Sequence, residues 1–195
     1  DNPIDAIWQD RPAPSLAAAL PHPLEFSGKS HEEKLDDIAT WLKERGDDAV
    51  VLSALDSIAW ALNIRGSDVA RTPVALSYAL ARADGTVDLF IAPEKVTAEL
   101  RAHLGNRVAI RDRALFELTL QNEFDGKAVA ADPERAVAAI FEALDSGGAR
   151  IDAIRDPVVL AKAVKNPAEI AGHHAAQLRD NAALARFLHW ISIEG

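Results

Sequence analysis

Neither cysteine nor methionine occurs among the 195 residues of this chain. The first absence excludes disulfides, thiolate metal sites and a cysteine nucleophile, and it agrees with a reducing, cytoplasmic setting. The second is unusual at the start: a chain that opens Asp1-Asn2-Pro3 is expected to be a processed or excised piece of something longer. No apolar run approaches the ~20 residues needed to span a bilayer, and the acidic opening has no signal-peptide core. A basic excess is also missing, with 21 Lys and Arg against 30 Asp and Glu and a net charge of -9. Nucleic-acid binding and electrostatic membrane anchoring both need a cationic face, so neither partner is expected.

What is present is ordinary material for a folded domain. Hydrophobic residues make up 49% and charged residues 26% of the chain, enough for a core and a solvated surface. Residues 1–29 carry Pro3, Pro12, Pro14, Pro21 and Pro23, which oppose helix continuation and sheet pairing. The same stretch holds Ile7, Trp8, Leu16, Leu20 and Phe26, so it is read as a tether lying extended against a folded surface. Ser30 and Glu33 form a capping box for a helix carrying Leu35, Ile38, Ala39 and Leu42, closed by Gly46. Ala49 to Leu52 reads as a buried strand, and Ser53 to Leu62 as a short helix. Val74 to Ala83 and Thr86 to Ala92 flank Asp84-Gly85, a signal for a two-residue hairpin turn. Helices are expected over Pro93 to Leu104 and Arg113 to Gln121, and from Asp132-Pro133 to Leu144. Short strands fall at Arg107 to Ile110, Lys127 to Ala130 and Ala149 to Ile151. A short helix follows Asp156-Pro157, and a long amphipathic one follows Asn166-Pro167. The alternation predicts an α/β fold, a mixed β-sheet flanked by helices on both faces, with a long C-terminal helix.

The search for chemistry is mostly negative. The six histidines form no HExxH pair. Glu169 and His173 share one helical face and are the best local metal-like pair, though a solvated helix surface explains them more simply. No Gly-x-Ser-x-Gly elbow or phosphate-binding glycine loop occurs, and Gly147-Gly148 reads as a helix stop. No catalytic residue and no metal ligand is therefore assigned. One stretch stands out, Asp56 to Asp68, in which an apolar run ends in Asn63-Ile64-Arg65-Gly66. An arginine beside a core needs a partner, here Asp56 or Asp68. The turn either fastens the hairpin to the sheet edge or brings Asn63 and Arg65 to a cleft where Arg65 reads a ligand carboxylate or carbonyl.

Four strings, in order along nearly the whole chain, resemble the three-domain aminopeptidase P family. They are Ile7-Trp8-Gln9-Asp10-Arg11-Pro12-Ala13-Pro14, Gly28-Lys29-Ser30 with Glu33-Lys34-Leu35, Leu55 to Val69 with Thr72-Pro73-Val74 and Ser77-Tyr78, and Lys162 to Gly172. Leu89-Phe90-Ile91 and Arg179-Asp180 extend the likeness; Gln177 departs from it, standing where the family often has histidine. The resemblance implies a creatinase/prolidase N-terminal-domain-like middle domain over 30–155. It makes 1–29 a linker from a preceding domain, and 156–195 a connector plus the first helix of a pita-bread catalytic domain. It also implies a parent enzyme that removes an N-terminal residue preceding proline. Two divalent metal ions, manganese in the first instance, would serve that enzyme, bound by two Asp, one His and two Glu downstream of this segment. The substrate would be a peptide with proline at the second position, and this segment would shape access to the active site. The alternative is a binding or dimerisation module of a catalytically inactive pita-bread relative. Leu178, Ala182, Ala185, Leu188 and Trp190 on the last helix are expected to form an apolar patch that favours a homodimer.

Overall fold

The computed structural model describes Ile4, Ile7, Trp8, Asp10 and residues 12–194; Gln9 and Arg11 of the first string lie outside the described residues. The chain runs β1 (Leu20–Pro21), α1 (Leu24–Ser27), α2 (His31–Arg45), β2 (Ala49–Leu52), α3 (Leu55–Ala61) and β3 (Ile64–Arg65). It continues through β4 (Ser77–Arg82), β5 (Val87–Ile91), α4 (Ala98–Leu104), β6 (Val108–Arg111) and α5 (Phe116–Glu123). It ends with β7 (Ala128–Ala131), α6 (Ala138–Ser146), β8 (Arg150–Ala153), α7 (Val158–Ala163) and α8 (Pro167–Glu194).

Six strands form one mixed sheet in the order β6-β5-β4-β2-β7-β8. The β4 strand is antiparallel to both neighbours, while β5–β6, β2–β7 and β7–β8 are parallel. Parallel neighbours need crossovers, which places helices on both faces. The strand period of two then divides the core. Val50, Leu52, Ala79, Ala81, Val87, Leu89 and Ile91 face α2, α3 and α4 in one apolar cluster. Ala49, Val51, Leu80, Phe90 and Val129 face α5 and α6 in the other. On that second face Phe116 stacks on Tyr78 at 4.2 Å and meets Phe90 edge-on at 5.2 Å.

Local sequence logic accounts for most boundaries. Ser30 Oγ accepts from Glu33 N at 3.2 Å while Glu33 Oε2 accepts from Ser30 N at 2.9 Å, so α2 begins with the expected capping box. The hairpin at Asp84-Gly85 also forms, but its loop is three residues long. Gly85 N donates to Arg82 O at 2.9 Å, Arg82 N to Thr86 O at 2.9 Å, and Gly85 takes φ +85°. That is a turn followed by a left-handed glycine bulge, which suits strand twist as a two-residue turn does.

Five expectations need correction. The helix expected from Pro93 is broken: Pro93–Lys95 is a single 3-10 turn, Val96 is extended, and Thr97 caps α4 by accepting from Leu100 N at 3.0 Å. The break frees Lys95 O to accept from Ala19 N at 3.0 Å and lets the Lys95 side chain reach Asp68. The helix expected from Asp132 starts only at Ala138, because the Asp132 carboxylate accepts from Glu134 N and from Asp156 N, each at 2.9 Å. It ties two loops together instead of capping a helix. Proline does not keep the first segment out of a sheet, since Pro21 pairs with Ile64 in the small β1–β3 ribbon. An edge position needs no N–H from it. The tether is anchored through Ala19, fully buried, while Leu16, Leu20 and Phe26 are exposed. Finally, α8 is not amphipathic: none of its residues is buried, and Leu184, Phe187, Leu188, Trp190, Ile191 and Ile193 are exposed around its outer turns. Apolar and polar residues are mixed around it, so no single face is prepared to lie on the sheet body.

Candidate functional site

Asn63 and Arg65 lie next to each other where α3 turns into β3, and the structure gives them different surroundings. Asn63 is buried at 3% exposure and holds a left-handed φ of 49°, a conformation asparagine tolerates better than most residues. Its Nδ2 donates to Lys29 O at 2.9 Å and to Ser27 Oγ at 3.2 Å. Its Oδ1 accepts from Lys34 Nζ at 2.7 Å. All of its amide capacity in this direction is spent inside the fold.

Arg65 is half-buried, and neither expected carboxylate reaches it. Asp68 is taken by Lys95 and by Leu76 N at 2.6 Å, and Asp56 by Lys162. Arg65 Nη1 donates instead to Ala59 O at 3.0 Å and Ile64 O at 2.9 Å. Ala59 O is a carbonyl left over in the last turn of α3, where a helix has acceptors to spare, whereas Ile64 O belongs to β3. The guanidinium makes no ion pair among the described residues, and burial lowers its pKa from the ordinary arginine range. Its Nε and Nη2 make no hydrogen bond there, so one edge of the fork remains available.

The residue that sequence reasoning missed is Lys34. Its side chain is 1% exposed, yet among the described residues its ammonium has no carboxylate within bonding range. Nζ donates to Trp60 O at 2.9 Å and to Asn63 Oδ1 at 2.7 Å, and sits 4.0 Å from the centre of the Trp60 ring. Burial dominates and pushes its pKa down to about 8. The one signal in the sequence is position: Lys34 stands four residues before Ile38 on the apolar stripe of α2. His22, whose backbone N donates to Asn63 O at 2.7 Å, also has a lowered pKa, from burial first and then from the Arg65 and Lys34 charges.

His173 is exposed, in keeping with the simpler reading of a solvated helix surface, whereas Glu169 is half-buried and engaged. Glu169 Oε2 accepts from Asn166 N at 3.0 Å while Asn166 Oδ1 accepts from Glu169 N at 3.0 Å, a reciprocal cap at the start of α8. Glu169 Oε1 accepts from Trp60 Nε1 at 3.2 Å. His173 and Glu169 line an open cleft of about 550 Å³ together with His22, Phe26 and Lys165. Among the described residues no group of three or more His, Asp or Glu side chains could hold a metal ion. The described side chains do not fit a metal centre. Among the described residues no helix is long and apolar enough to cross a membrane.

The fold and this arrangement define a creatinase/prolidase N-terminal type of domain: a mixed sheet with helices on both faces and a long C-terminal helix. The creatinase/prolidase N-terminal domain model matches residues 10–169, and the chain belongs to that family. Curated relatives include a probable Xaa-Pro aminopeptidase P of Ajellomyces capsulatus (strain G186AR), 38% identical over 208 residues and matched along 100% of this chain and 33% of its own length. That of Leptosphaeria maculans is 40% identical over 200 residues, covering 98% of this chain and 33% of its own. The chain thus spans about a third of the length of these relatives. Among solved structures, an X-prolyl aminopeptidase of Caenorhabditis elegans, described as a cytosolic enzyme with a di-nuclear active site, superposes with a TM-score of 0.90. It is 31% identical, over 100% of this chain and 32% of that one.

Proposed function

We propose that this chain is the non-catalytic middle domain of a metal-dependent Xaa-Pro aminopeptidase that removes an N-terminal residue preceding proline. The observation that carries the reading is continuity: the whole chain matches one third of an X-prolyl aminopeptidase at a TM-score of 0.90. In this reading residues 1–29 link to a preceding domain, 30–155 form the middle domain, and 156–195 lead into the catalytic domain. The parent enzyme is cytoplasmic and uses two divalent ions, manganese in the first instance, held by residues outside this segment. Such a pair supplies an activated water and a clamp on the developing oxyanion.

This chain's share of the work is access and positioning. Asn63 fixes the α3–β3 turn, and the free edge of Arg65 borders the substrate cleft, where its fork suits a peptide carbonyl or carboxylate. Arg65→Ala in the full-length enzyme is expected to raise KM or lower kcat toward an Xaa-Pro peptide with the melting temperature preserved. Unchanged kinetics with a lowered melting temperature would assign Arg65 to holding the turn alone.

A further inference from the structure

The first turn of α8 is fastened to the sheet body at points far apart in sequence. Asn166 Nδ2 donates to Ser27 O at 2.7 Å, and Trp60 Nε1 donates to Glu169 Oε1 at 3.2 Å. Gly28 makes the close seat: a Cβ there would fall 2.3 Å from Asn166 Oδ1 and 2.8 Å from Ala168 Cβ. Trp60 is itself held from behind, its carbonyl accepting from the buried Lys34 ammonium at 2.9 Å. Beyond this base the helix touches little. After Glu169 only Ala176 is half-buried, and every other residue through Glu194 is exposed.

The restraint on the direction of a 28-residue helix is therefore concentrated in its first turn. Charge works toward the same end. The Glu169 carboxylate is the acidic neighbour acting on Lys34, Arg65 and His22. Three cationic or ionisable groups of the sheet body thus look to one anion on α8. Moving the helix away would strand a desolvated ammonium with no facing carboxylate, which is unfavourable in a low-dielectric setting.

We propose that Trp60, Asn166 and Glu169 form a latch that fixes the direction in which α8 leaves the sheet body, with Lys34 and Asn63 holding the latch plate in place. These are positioning residues for whatever body encloses the outer turns of α8. The inference does not rest on the peptidase reading and can fail or stand separately from it.

The absence of cysteine makes the test direct. Glu44→Cys on α2 and Asn181→Cys on α8, both at exposed positions, carry spin labels for pulsed dipolar distance measurement, diluted with unlabelled chain. The parent is expected to give one narrow distance distribution. Trp60→Phe removes the indole donor and keeps an aromatic ring; Asn166→Ser keeps a capping hydroxyl and removes the bond to Ser27. Losing both bonds is expected to shift the ratio of seated to released α8 by about tenfold or more, read as a second, broader population. Circular dichroism establishes that the double variant keeps its sheet body. Glu169→Gln, which keeps the side-chain size and removes the charge, is the second variant should the double one not fold, and it too is expected to broaden the distribution. A broad distribution in the parent, or a narrow one unchanged in a folded variant, overturns the proposal.

Discussion

Replacing Lys34 by methionine removes a buried charge while keeping a flexible chain of similar length, and the consequence appears in how stability depends on pH. In the unfolded chain the lysine titrates near 10.5, whereas in the fold its pKa is about 8. Below pH 8 both states hold the proton and Lys34 contributes no slope. Between about pH 8 and 10.5 the unfolded state binds more protons, so unfolding free energy rises with pH. The full gain is about 3 kcal/mol, from roughly 2.5 pK units at 1.36 kcal/mol each. At neutral pH the variant escapes a burial penalty of about that size. It also leaves Trp60 O and Asn63 Oδ1 without their donor, each costing about 1–3 kcal/mol. The two effects oppose each other, so the absolute stability at pH 7 is a poor readout and the slope is the sound one. Urea denaturation of both proteins from pH 7 to 10.5 isolates it, because other titrating groups drop out of the difference. The expected result is a wild-type-minus-variant difference that climbs by about 3 kcal/mol across this window. A flat difference would refute the assignment of a desolvated ammonium at this site.

Other expectations test separate parts of the fold. Asp68→Ala leaves the Lys95 ammonium, whose side chain is 3% exposed, without its buried partner, and is expected to cost about 3–5 kcal/mol by chemical denaturation. Asp156 has a pKa raised by burial, so its contribution is present below the unfolded carboxylate range and is lost as pH rises through its folded pKa. Asp156→Asn keeps the acceptor for Val158 N; the stability of the wild type relative to this variant should fall as pH rises above about 4, the unfolded carboxylate value. Gly28→Ala combines a positive φ of 65° with a Cβ pressed against Asn166, and is expected to lower the melting temperature and release α8 in the distance measurement. Removing residues 167–195 should reduce self-association measured by light scattering, since the exposed apolar side chains of α8 go with them.

How much of this was legible beforehand depended on whether the deciding interaction was local. The start of α2 was readable because Ser30 and Glu33 satisfy each other within one turn. The hairpin was readable because Gly85 supplies the left-handed residue any tight connection there needs, although the loop length was not. Asp132 departs from the local expectation because its partner lies 24 residues away: the same Asp-Pro pair that can open a helix serves to bind the loop after β8. Arg65 misled for a related reason. Its charge suggested a carboxylate, but the carbonyls of Ala59 and of the neighbouring Ile64 accept from it instead. The cluster around Lys34 joins residues from α1, α2, α3 and α8, so no stretch of sequence shows it. The apolar turns of α8 were visible as composition, yet their spread around the whole helix was not recognised.

The length of α8 gives its base a mechanical meaning. At 1.5 Å per residue its 28 residues make a rod of about 40 Å. A tilt of about 10° at the first turn would carry the far end through about 7 Å, more than the width of a side chain. Two hydrogen bonds and one missing Cβ at the fulcrum thus set, with large leverage, where anything gripping the far end must sit.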